Sequence, residues 1–213
     1  MIDSWEKLTI GKYQELTAIL NKGGEEIEMK TEIISLLTDM DIDDVYDLPL
    51  PTYHRLLQSI GFLFEEIPHR QVLRKYNLGG IEFEVLMSIE KMTAGQFIDY
   101  QTFIKDPQKY LVELLSIFFI PKGHKYNDGY DMVEVQKAIR ENLSIVDGHS
   151  LAAFFLLWYR SLLKVTVNYL TKKMKKMMRK EKNKEVKAKM EEMIMNLELS
   201  GDGLLSLTEL QKQ

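Results

Sequence analysis

Twenty consecutive residues, 171–190, read TKKMKKMMRKEKNKEVKAKM and hold ten of the chain's 28 basic residues. Only Glu181 and Glu185 oppose them, so the run carries 10 − 2 = +8 in a chain whose net charge is −4. The remaining 193 residues therefore sum to −12. Unpaired charge at this density cannot enter an apolar core, because desolvating it costs far more than packing returns. The run must lie in water or against something acidic. It follows Leu151–Tyr159, LAAFFLLWY, the most apolar stretch of the chain. Near Tyr169–Thr171 an all-round apolar helix is expected to become a basic one. We therefore expect a helical body over 1–170, and a basic helical arm with a C-terminal tail over 171–213.

The body reads as a succession of short helices. Thr9, Tyr13, Leu16 and Leu20 have helical spacing behind a Thr cap, and Asn21-Lys22-Gly23-Gly24 stops that helix. A second helix is expected over Glu25–Leu37. Asp39, Asp41, Asp43 and Asp44 superficially suggest a metal loop, but Asp also favours caps and first turns, so Asp41 or Asp43 is expected to start a short helix. Pro51 suits the first turn of a third, running to about Glu66. Pro68 then breaks the pattern. Two alternating runs, Val72–Tyr76 and Ile81–Val85, flank Asn77-Leu78-Gly79-Gly80 and predict a β-hairpin over 72–85. Such a hairpin must pack on helices or join more sheet to persist. Thr93 caps a helix to Lys105, and Asp106-Pro107 starts another that is expected to reach Pro121. A polar loop at 122–129, a helix at Met132–Asn142 and a long last element to about Met195 complete the chain. The fold class expected is mainly α with a β-hairpin (α+β), ending in a long C-terminal helix.

Chemistry is harder to find. There is no Cys, which excludes disulfides and thiolate metal sites. His54, His69, His124 and His149 have no metal-binding spacing among them, and no nucleophile elbow, phosphate-cradling Gly loop or dinucleotide fingerprint occurs. His124 lies near Asp128 and Asp131, too little to predict an acid–base pair. Residues Glu198, Ser200, Asp202, Ser206 and Glu209, with Gly203 between, are similar to the ligand positions of an EF-hand calcium loop. Glu198 departs from the usual Asp, and four residues follow Glu209, too few for an exiting helix. A Gly-rich turn is the reading preferred, with no cofactor and no enzyme activity expected. The N-terminus lacks the basic start and apolar run of a signal peptide. Arg160 and Lys164 interrupt the apolar stretch before the roughly 20 residues that a membrane span requires, so no membrane contact is expected.

The arm admits three readings: a nucleic-acid contact through phosphates, a helix on an anionic membrane face, or a solvated or protein-facing helix. It holds one Arg and no aromatic residue for base stacking. Its Met residues suit an adaptable protein contact, so an acidic patch of another subunit is favoured. The candidate contact residues are Lys172, Lys173, Lys175, Lys176, Arg179 and Lys180 with Met177 and Met178. On the hairpin they are Tyr76, Ile81 and Phe83.

Several segments in order resemble a family encoded by tailed bacteriophages, notably those of gut Bacteroides-type hosts. They are Trp5–Thr9 with Tyr13, Ile33–Met40 running into DIDDVYDLPL, and the hairpin followed by Met92–Asp99. Leu114–Pro121, Tyr126–Asp131 and Phe154-Phe155 complete the resemblance, which spans about residues 1–165. The resemblance implies a virion or virion-assembly protein of the head–tail region: a neck or tail ring subunit, or a tail assembly chaperone absent from the finished particle. It implies self-association, contact with portal, neck or tail subunits, and a place in the virion after synthesis in the host cytoplasm. It carries no active-site residues. A nucleic-acid-binding packaging or scaffolding factor, acting through the arm, is the third reading.

Overall fold

The computed structural model of the chain describes residues 1–88, 91–107, 109–179 and 185–195. The fold is α+β, mainly helical with one small antiparallel sheet. It divides into two compact units, Met1–Ala152 and Ala153–Gln213.

In the first unit, α1 (Ile10–Lys22) begins where the Thr9 hydroxyl accepts from Lys12 N at 3.4 Å, and it ends at Gly23, whose φ of 66° suits glycine. α2 (Glu26–Thr38) turns Thr31, Ile33, Ile34 and Leu37 inward and ends at Asp39 in the left-handed region. α3 (Ile42–Tyr46) buries only Val45. α4 (Leu50–Ser59) carries Pro51 in its first turn, as expected, and passes into a 3-10 helix over Ile60–Phe64. Later come α5 (Ala94–Phe103), α6 (Leu111–Ser116), α7 (Met132–Asn142) and α8 (Ile145–Met178). α8 begins in the first unit, and its residues from Ala153 onward belong to the second.

The hairpin forms around the Gly79-Gly80 turn, as expected, but its first strand starts three residues later than the run at 72–76, and Asn77 and Leu78, expected in the turn, pair with Glu82 and Ile81. β1 (Lys75–Leu78) pairs antiparallel with β2 (Ile81–Val85), Tyr76 facing Phe83 and Leu78 facing Ile81. A third strand, β3 (Phe119–Pro121), pairs with β2 and sets Phe83 against Pro121. This corrects the expectation of one helix from Asp106 to Pro121. Asp106 does form its start signal, its carboxylate accepting from Lys109 N at 3.2 Å, but regular helix begins at Leu111 and stops at Ser116. The apolar residues Phe118 and Phe119 then serve the sheet and the core, both with no exposed surface.

The two ends of this unit are pinned together. Ile10 N donates to Leu143 O at 3.0 Å and Ile145 N to Leu8 O at 2.7 Å, a short antiparallel bridge across about 135 residues of sequence. Two glycines permit the approach. A methyl group at Gly11 would meet Arg140 Cγ at 2.8 Å and its carbonyl oxygen at 3.0 Å; one at Gly148 would meet Ile10 Cδ1 at 2.6 Å. Another tie runs through α5. Gln96 closes a capping box with Thr93, and its buried amide donates to Ile117 O at 2.8 Å.

In the second unit, α8 continues from Ala153 to Met178, and residues 185–195 are helical. The expected change from apolar to basic character at 170–171 falls inside α8. Phe155, Thr171 and Ile194 are buried, whereas Leu157 and Tyr169 are 64% and 62% exposed.

Candidate interaction surfaces

The sheet has one packed face and one wet face, as strand alternation requires. Tyr76, Leu78, Ile81, Phe83 and Val85 turn inward; Lys75, Asn77, Glu82 and Glu84 turn to solvent. The Tyr76 ring lies 5.3 Å from Phe119, and its hydroxyl accepts from Leu73 N at 3.3 Å. Burial raises the Tyr76 phenol above its ordinary pKa. Phe83 is 1% exposed and packs edge-on to Phe119. The three hairpin side chains expected to touch a partner are thus on the packed face, because the third strand makes the hairpin part of a sheet over a core. What the hairpin leaves open is backbone. β1 is an edge strand, and its outer side makes no backbone hydrogen bond among the described residues. β3 is the other edge, and it ends in Pro121, which has no N–H to offer.

The arm presents its charge outward. Lys172, Lys173, Lys175, Lys176 and Arg179 are exposed, as is Met177, while Met178 is half-buried. Lys172, Lys176 and Arg179 are spaced i, i+4 and i+7, so they share one helix face. Among residues 185–195, Met193 and Met195 are exposed beside Lys189. Lys180 and the EF-hand-like set Glu198, Ser200, Asp202, Ser206 and Glu209 lie outside the described residues.

A third surface was not singled out as a contact from sequence. Asp41 stands at the N-cap of α3, but its carboxylate makes no capping bond. Asp43 and Asp44 occupy the first turn, and Asp47 follows the last. All four are exposed, and none joins an ion pair among the described residues. Asp39, by contrast, is paired with Lys12. Ile42, Tyr46 and Leu50 stand among the four carboxylates, 40%, 56% and 65% exposed. One signal for this surface was present: the sequence holds no Lys or Arg between Lys30 and Arg55.

Titratable groups meet in two further places. The His69 and His149 rings are 5.1 Å apart. Beside them, Arg70 N donates to Ser150 Oγ at 2.9 Å, and the Arg70 guanidinium lies 3.4 Å from Asp147. His149 Nδ1 has no hydrogen-bond partner among the described residues. Burial, then the neighbouring His69, lowers the His149 pKa from its usual 6.5. In the 122–130 loop, Tyr126 donates to Asp99 at 2.7 Å, and burial and that carboxylate push its pKa up. His124 faces the Asp128 carbonyl rather than a carboxylate, 3.2 Å away. His54 is exposed on α4. No cluster of three or more metal-ligating side chains occurs among the described residues, and no described helix is long and apolar enough to cross a membrane.

No family model, no curated protein and no solved structure matches this chain.

Proposed function

We propose that this protein is a non-enzymatic structural subunit of a tailed-phage virion, a ring or connector protein of the neck or tail that assembles through protein–protein contacts. The observation that carries this reading is the division of labour along the chain. A body with a pinned core is joined in sequence to a helix that leaves Lys172, Lys173, Lys176, Arg179 and Met177 exposed. Such a helix is suited to be bound, since Lys and Met surfaces adapt to a partner and orient it by charge. The open edge of β1 adds a second mode of contact, strand addition by a neighbour. A virion as the place of these contacts is supported by the order of segments over residues 1–165, which resembles that of head–tail proteins of tailed phages. Head-to-tail contacts of this kind close into rings when the rotation between copies divides a full turn.

Quantitative mass spectrometry of purified virions, scaled to the major capsid protein, tests this. A fixed copy number equal to one ring, or to a small multiple of it, is the expected result. Absence from mature particles with abundance in infected-cell lysate contradicts it, and assigns the protein instead to tail assembly as a chaperone.

A further inference from the structure

We infer that the basic arm of one copy docks on the acidic corner formed by α3 and the start of α4 in a second copy. This inference rests on the assembly reading above and names the partner surface within it.

The corner carries both features that the arm would recognise. Asp41, Asp43, Asp44 and Asp47 are exposed and unpaired among the described residues. The apolar side chains of Ile42 and Tyr46 share one face of α3 at i and i+4, and Leu50 opens α4 three residues after Asp47; all three are exposed, so uncovered apolar surface accompanies the carboxylates. The arm offers the complement. Lys172, Lys176 and Arg179 line one face, and Lys173 and Met177 stand beside it. Cations meet carboxylates while Met177 meets the apolar surface. Charge alone would give a loose, screened contact; the apolar surface beside the charges supplies burial and register.

The charge balance argues for a second copy as the occupant. The arm segment carries +8 and the rest of the chain −12, so each copy brings both halves of the contact. Within the first unit, the carboxylate density peaks at this corner: five Asp fall between residues 39 and 47, and one of them, Asp39, is already engaged by Lys12. The contact is heterologous, arm to corner, so each copy donates one and receives one. That geometry extends to a ring or a chain of copies rather than stopping at a symmetric dimer.

The test uses the full chain and two charge reversals at exposed positions. One variant carries Lys172→Glu, Lys173→Glu and Lys176→Glu. The other carries Asp41→Lys, Asp43→Lys and Asp44→Lys. Sedimentation velocity at about 50 mM and about 500 mM salt reads the association, and circular dichroism confirms that each variant is folded. The wild-type chain is expected to self-associate at low salt and to dissociate at high salt. Each variant alone should associate at least about tenfold more weakly, because like charges then face each other. Mixed, the two should associate again, since every arm then meets a corner of opposite sign. A corner variant that associates as the wild type does overturns the inference and leaves the virion reading standing. A mixture that stays dissociated overturns it too. So does a monomeric wild-type chain whose arm shifts duplex DNA, which would make nucleic acid the acidic partner. Copy number in the virion is a separate readout, so failure of the assembly reading is told apart from failure of this contact.

Discussion

Compare α7 in the body with α8 beyond Ala153. α7 sends Val135, Ala138 and Ile139 into the core and keeps Arg140 in solvent. In the second unit, Leu157 and Tyr169 remain mostly exposed, and Thr171 is buried with a hydroxyl that has no partner among the described residues. The same 3.6-residue period is therefore put to two uses. In the body it sorts apolar from polar residues, and helix stability comes from tertiary packing. In the second unit Leu157 and Tyr169 show that the same period leaves large apolar side chains uncovered among the described residues. The body is also pinned by hydrogen bonds between residues 8–10 and 143–145 and between Gln96 and Ile117.

The largest difference between the regions should appear on truncating apolar side chains. Phe118→Ala removes a side chain with no exposed surface and is expected to cost about 3–5 kcal/mol in chemical denaturation. Leu157→Ala, at a position 64% exposed, should change stability by no more than about 0.5 kcal/mol. Equal losses at the two sites would erase the distinction. Next in size is Gln96→Ala, which opens the capping box and leaves the Ile117 carbonyl without its donor; about 2 kcal/mol is expected from the same measurement. Gly11→Ala should come third. Helix propensity favours alanine by about 1 kcal/mol, but the added methyl meets the Arg140 backbone carbonyl at 3.0 Å, which cannot swing aside. The variant is expected to be less stable than the wild type, by about 1 kcal/mol.

A smaller effect is expected from pH. The charged or titratable group facing the His149 ring is His69, from the segment before β1; Arg70 and Asp147 pair with each other nearby. Because the folded state holds the His149 pKa below the usual 6.5, the unfolded chain binds the proton first as pH falls. Its contribution to stability is thus full above 6.5 and is lost as pH drops through that value toward the depressed one. The melting temperature of the wild type should fall more between pH 7.5 and 5.5 than that of His149→Gln. Identical pH profiles would remove His149 as a source of the effect. The smallest change is expected where the arm is neutralised. Lys172→Gln, Lys173→Gln and Lys176→Gln together should leave thermal stability within about 0.5 kcal/mol of wild type while weakening self-association.

Much of the body was legible in the sequence because its signals are local. Thr9, Thr93 and the Gly79-Gly80 turn each announce a boundary within a few residues, and each stands where it was expected. β3 was not legible. A three-residue strand has no period of its own, and Leu114–Ile120 reads as one apolar helix until the pairing of Phe119 and Pro121 with β2 breaks it. That missing strand also explains the misplaced hairpin contacts, since Phe83 needs Phe119 and Pro121 to become core. The arm stood out by charge count alone. The acidic corner proposed as its seat did not, because what separates α3 and the start of α4 from other acidic segments is the exposure of Ile42, Tyr46 and Leu50 and the lack of ion pairs, among the described residues, at four carboxylates. Both are properties of the folded surface.

The central claim, that a self-sufficient body carries an arm built for association, is tested most directly by sedimentation velocity on the full chain beside a chain ending at residue 170. The full chain is predicted to associate in a salt-sensitive way, and the shortened chain to be monomeric with an unchanged thermal transition. A shortened chain that fails to fold, or a full chain that is monomeric at every salt concentration, would contradict it.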